Sequence, residues 1–93
     1  MAGKYPDPTA EQRVSLINRV AGHVYDSTES LTPVSTSLAY LMWAIADNDS
    51  WMDVHADDHE MHRLLQILNK APDLLTELVS FGLIRPVEDA HAR

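Results

Sequence analysis

Apolar positions along this chain come in separated runs. The densest, residues 38–46, has almost no polar side: only the Tyr40 hydroxyl and the Trp43 indole N–H interrupt Leu38, Ala39, Leu41, Met42, Ala44, Ile45 and Ala46. At about 100° per residue such a run covers nearly the full circumference of a helix. It therefore predicts a central helix buried by this chain or by a partner. Thr32 suits its N-cap and Pro33 its first position, where the missing N–H would have had no intrahelical partner. The run is far short of the roughly 20 apolar residues needed to span a bilayer.

The flanking runs follow the helical period as well. Thr9 and Gln12 make a capping-box pair that opens a first helix. Its apolar seam is Val14, Ile17, Ala21 and Val24, and Leu16 and Val20 beside it widen the apolar arc to about half the helix, more than one neighbour needs. Such a helix is either wedged between two others or shared between two subunits. Residues 26–30 form a polar link. Residues 47–50 end the central helix, and Ser50 with Asp53 as a cap pair predicts a short helical turn fastened by Trp51, Met52 and Val54.

Asp57 and Glu60 start the next helix, which carries Met61, Leu64, Leu65, Ile67 and Leu68 on one face as far as about Asn69. Pro72 forces Ala71 out of the helical region and makes it the joint to a last helix with the stripe Leu74, Leu75, Leu78, Val79 and Phe81. Gly82 fits the left-handed position after that helix, and Leu83 can fold back on Leu78 as in a Schellman closure. Residues 84–87 leave as an extended strip. The organisation is a flexible arm (1–8), a single helical domain (9–87) and a polar tail (88–93).

Composition narrows the functional classes. With 93 residues, 45% of them apolar and 23% charged, the chain is one ordinary globular domain with a thin core. Seven Lys and Arg against fourteen Asp and Glu give a net charge of −7. That charge repels phosphate and favours basic or neutral protein surfaces as partners over nucleic acid. The lack of cysteine and of any signal-peptide or membrane-spanning run points to a soluble cytoplasmic protein with no membrane insertion.

Residues 47–62 are dense in carboxylates and imidazoles, yet match no metal motif. A calcium loop starting at Asp47 would put Trp51 at position 5, Met52 where glycine is needed and Asp58 at position 12. His59-Glu60-Met61-His62 is one residue short of the zincin HExxH. On one continuous helix His55, His59 and His62 would lie within about 60° of each other, a geometry suited to zinc or nickel. A helix start at Asp57 breaks that rod just after His55. The preferred reading is a solvated acidic face, with a metal- or proton-responsive module as one alternative. No serine sits in GxSxG, and Gly3, Gly22 and Gly82 are too far apart to cradle phosphate. Neither catalysis nor a cofactor or metal is expected.

Residues 74–86, Leu-Leu-Thr-Glu-Leu-Val-Ser-Phe-Gly-Leu-Ile-Arg-Pro, resemble the end of a recognition helix entering the first wing strand of winged-helix regulators, where Gly-Leu-Ile followed by arginine is common. The resemblance implies a winged-helix-like C-terminal end and DNA contact near Arg85. The chain departs from that pattern in two ways. Asp73, Thr76, Glu77 and Ser80 replace the basic face, and residues 88–93 lack the alternation of a second wing strand. In general look the chain also resembles small proteins of actinobacterial phages, many of which act by binding a host protein.

Together these patterns predict an all-α fold, a compact bundle of four to five helices. Its expected role is that of a small acidic protein–protein interaction module, an adaptor or an inhibitor of a cellular protein. The partner is another protein, a second copy in a homodimer, or both. The candidate contact residues are Leu16, Val20, Tyr40, Trp43, Trp51 and Ile84, apolar side chains that a thin core need not consume. A winged-helix-like transcriptional regulator is the alternative.

Overall fold

In the computed structural model, which describes residues 5–47 and 49–87, the capping box at Thr9 forms as its sequence predicts. Gln12 N donates to Thr9 Oγ1 (3.1 Å) and Thr9 N donates to Gln12 Oε1 (2.8 Å), which opens α1 (Ala10–Ser27). The buried face of α1 is Arg13, Leu16, Val20 and Val24, while Ile17 and Ala21 are half-buried and Val14 is exposed. The seam is thus rotated from the predicted one: Leu16 and Val20 are its centre and not a surplus beside it.

A single 3-10 turn, Thr32–Val34, contains Pro33 and leads into α2 (Ser35–Ala46). The helix therefore begins later than Thr32 and Pro33 suggest. Val34 at its N-cap offers no side-chain acceptor. The acceptor comes instead from across the fold, where Glu60 Oε2 receives Ser37 N at 2.8 Å. Ser37 is itself buried, and its hydroxyl donates to Val34 O (3.1 Å).

Residues 52–54 correct the all-α expectation. In place of the predicted helical turn stands strand β1 (Met52–Val54), paired in parallel with β2 (Ile84–Pro86) in the register Met52 to Ile84, Asp53 to Arg85 and Val54 to Pro86. Met52 and Val54 point into the core while Asp53 faces out, the alternation of a strand with one buried face. Met52 N donates to Leu83 O and Val87 N to Val54 O, both at 2.8 Å, so the pairing satisfies backbone groups that a short helical turn would have left open.

A parallel pair needs a long crossover, and two helices supply it. These are α3 (His59–Leu68) and α4 (Pro72–Ser80). Asp58, one residue beyond the predicted Asp57, caps α3 by accepting Met61 N (3.0 Å), which leaves Glu60 to serve α2. Gly82 at φ 70° closes α4 as predicted: Leu83 N donates to Leu78 O and Gly82 N to Val79 O, both 2.9 Å, the two bonds of a Schellman motif. The fold is mostly helical, with four α-helices and one small parallel sheet among the described residues. One core joins Leu16, Val20 and Val24 of α1 to Leu41 and Ile45 of α2, Leu64 and Leu68 of α3, Leu78 of α4, and Met52 and Ile84 of the sheet. The predicted polar tail, residues 88–93, lies outside the described residues, as do residues 1–4 of the arm.

Candidate partner-binding surface

Helix α2 contains no charged residue, and the fold covers only one side of it. Ser37, Leu38, Leu41, Ala44 and Ile45 are buried and Met42 is half-buried, whereas Thr36, Ala39, Tyr40, Trp43 and Ala46 face outward. This chain by itself therefore buries only part of the circumference, and of the two ways of covering the helix, by this chain or by a partner, the first is only partly realised. Tyr40 is 56% exposed and Trp43 61% exposed, one helical turn apart, so their rings lie on one outer face with Ala39 and Ala46 flanking them.

Two charged side chains from other helices hold this face in place. Glu60 caps the N-terminal end of α2, as described. Arg13, only 8% exposed, reaches from α1 to the other end, where its Nη1 donates to Ile45 O (2.7 Å) and Asp47 O (3.2 Å). These carbonyls have no intrahelical partner, and a guanidinium there also complements the negative end of the helix dipole. Ser50 Oγ donates to Asp47 Oδ2 just beyond. The helix that presents Tyr40 and Trp43 is thus fixed at both ends by tertiary bonds to α1 and α3.

Among the six sequence candidates, the structure separates two groups. Leu16, Val20 and Ile84 are core residues that this chain buries by itself, which corrects their assignment to a contact surface. The physical reason is that α2, α3 and α4 all pack on α1, so its wide apolar arc is used within the chain. Tyr40 and Trp43 share the α2 face. Trp51, 45% exposed, sits just before β1, where its Nε1 donates to Asp53 Oδ1 (3.0 Å) and the Arg85 guanidinium lies 4.0 Å from the ring centroid.

The histidine stretch does not assemble. His55 precedes α3, and His62 Nε2 donates to the His55 carbonyl (3.0 Å) instead of joining its ring. Among the described residues no three His, Asp or Glu side chains are grouped to hold a metal ion. His23 on α1 donates from Nε2 to Ile67 O (2.7 Å), a clasp between α1 and α3. A second clasp joins α1 to α4, where Arg19 forms a two-pronged ion pair with Glu77, its Nη1 3.2 Å from Oε1 and its Nη2 paired with Oε2. The hydrogen bond from Arg19, helped by its charge, holds the Glu77 carboxyl below the ordinary glutamate range, and the same bond raises Arg19.

Sequence reasoning misses the roles of Arg13 and Glu60: Arg13 enters it only as one of seven cations, and Glu60 reads as a cap for its own helix. Arg85 enters only through the winged-helix resemblance, as a DNA contact, and not as the partner of Trp51. A polar residue on the apolar side of α1, at the spacing of Leu16 and Val20, is the available signal for Arg13. No helix of the described residues is long and apolar enough to cross a membrane. Comparison of the chain with protein-family models, with curated proteins and with solved structures returned no match.

Proposed function

We propose that the protein is a small acidic interaction module of the cytoplasm, an adaptor or an inhibitor of another protein, acting by binding and not by catalysis. The observation that carries this reading is the outer face of α2: two aromatic rings more than half exposed on a helix without a single charge. Aromatic side chains dominate the energetics of protein contacts because they release large apolar areas from water with few rotors to immobilise. The net charge of −7 selects for neutral or basic partner surfaces and speeds their approach. Trp51 supplies a third exposed aromatic at the end of the connection that follows α2.

The test is a paired retrieval of partners from the cell that makes the protein, using the wild-type chain and a Tyr40→Ser, Trp43→Ser double variant. A protein retained stoichiometrically by the first and lost by the second, with both chains equally helical, supports the reading. Equal retention by both refutes it for this face. Sedimentation of the wild-type chain at micromolar concentration tests the homodimer form of the same contact.

A winged-helix-like regulator is the second reading, favoured by one observation: α4 leads through Gly82 directly into β2 over the residues that carry the resemblance. Against it, β2 pairs in parallel with β1, and the outward positions of α4 include Asp73 and Glu77. A sequence-specific shift of duplex DNA that Arg85→Ala abolishes would establish this second reading.

A further inference from the structure

Arg85 lies between two aromatic rings, 4.0 Å from the centroid of Trp51 and 4.6 Å from that of Tyr5. Tyr5 belongs to the N-terminal arm, and its ring also covers Gly82 so closely that a Cβ placed on that glycine would collide with it. We propose that Gly82, Trp51 and Arg85 form a recognition slot for a tyrosine ring on an extended, proline-bearing peptide segment, and that the chain's own Tyr5-Pro6 is a displaceable occupant of it.

The walls of the slot are built without the arm. Gly82 is held at φ 70° by the Schellman bonds that close α4. Trp51 is fixed by its indole bond to Asp53 and by the neighbouring Met52 N to Leu83 O bond that begins the strand pair. Arg85 is fixed by its Nε, which donates to Gly82 O at 2.8 Å. The occupant is held far less firmly. Tyr5 is 37% exposed and, among the described residues, neither its backbone nor its hydroxyl makes a hydrogen bond. Pro6 and Asp7 are exposed, and Pro8 is buried.

A preformed slot with a loosely held plug is an exchange site, because the plug's advantage over a free peptide is only that it is tethered. Short flexible tethers give effective concentrations on the order of millimolar, so an outside segment displaces the plug when its concentration relative to its own Kd exceeds the tether's effective concentration relative to the Kd of the plug. The slot also offers more than the plug uses. Among the described residues no carboxylate pairs with Arg85, and none gives an acceptor to its guanidinium N–H groups other than Nε. An extended proline-bearing segment presents backbone carbonyls to such donors while its ring stacks on the guanidinium.

The experiment uses the full chain with Tyr5→Ala and a fluorescein-labelled peptide of residues 3–9, Gly-Lys-Tyr-Pro-Asp-Pro-Thr, read by fluorescence anisotropy. The variant is expected to bind the peptide saturably, the wild-type chain at least about tenfold more weakly because its own tyrosine competes. Replacing the peptide's tyrosine by alanine, or adding Arg85→Ala to the chain, should abolish binding. Should Tyr5→Ala lose its helical signal, Tyr5→Leu, which keeps an apolar cover over Gly82 without the ring, takes its place. A folded variant that shows no saturable binding up to millimolar peptide, or that binds the tyrosine-free peptide equally, overturns the proposal. Tyr40→Ser and Trp43→Ser should leave peptide binding unchanged, so this slot and the α2 face fail separately.

Discussion

Arg13 offers the sharpest test of how the contact helix is held. Its guanidinium is almost fully buried and donates to two carbonyls at the C-terminal end of α2. A hydrogen bond from a charged donor is worth about 1.5–3 kcal/mol, and a cation at a helix C-terminus adds about 0.3–1 kcal/mol. The longer bond, to Asp47 O at 3.2 Å, ends at a half-buried residue where water can replace it, so only the Ile45 bond counts in full. Arg13→Met keeps most of the stem and removes every donor, and it should cost about 3 kcal/mol. That is a large share of the roughly 5–15 kcal/mol that holds a typical domain together. With a urea slope of about 1–2 kcal/mol/M, the unfolding midpoint should fall by about 2 M, read by circular dichroism at 222 nm. Arg13→Lys should recover part of the loss, since it restores charge and one donor. If Arg13→Met unfolds within about 0.5 kcal/mol of the wild type, the bond to Ile45 O is not what secures this end of α2.

Three further outcomes follow from the same contacts. Glu60→Ala leaves the Ser37 N–H without its carboxylate acceptor and should destabilise the fold by about 1–2 kcal/mol in urea titration, with Glu60→Gln costing less. Glu77 is held below the ordinary glutamate range by its bond from Arg19, so its contribution is present above the unfolded value of about 4.3 and is lost as pH falls through the lowered folded value. Because the pair is exposed, that contribution should stay under about 1 kcal/mol: Glu77→Gln should narrow the stability gap between pH 6 and pH 3 slightly, and salt should erase the difference. Leu16→Glu places a carboxylate in the core and should abolish the cooperative thermal transition, whereas Val14→Glu on the exposed side of the same helix should shift it by no more than about 0.5 kcal/mol.

Local chemistry makes much of this fold legible. The Thr9 and Gln12 pair, the Gly82 closure and the face of Met61, Leu64 and Leu68 each depend on residues within one or two turns of each other, and each forms where its pattern places it. The strand at Met52 escapes the pattern because three residues barely show an alternation, and Ser50 with Asp53 imitates a helix cap. The structure alternates exposed and buried along Trp51, Met52, Asp53 and Val54, but the exposed Trp51 is itself apolar and hides that alternation in the sequence. Caps supplied from a distance are not: Arg13 acts on a carbonyl 32 positions away and Glu60 on an amide 23 positions away, separations at which no periodicity speaks. For the same reason the chain's surplus of apolar positions does not reveal its location. Leu16 and Val20 of α1 are consumed because the other three helices pack on that side of it, while Tyr40 and Trp43 of α2, like Val14 and Tyr25 on the far side of α1, are left exposed.

The most direct measurement replaces Trp43, and in parallel Val14, with a photo-crosslinking benzoylphenylalanine in the full chain and irradiates the cells that make it. Both sites are exposed to a similar degree, 61% and 58%, so access alone does not distinguish them. A discrete adduct from position 43, at twice the chain's mass for a second copy or at another mass for a different partner, with little from position 14, is the outcome expected if the outer face of α2 is the contact surface. No adduct from position 43, or the same adducts in equal yield from position 14, would contradict it.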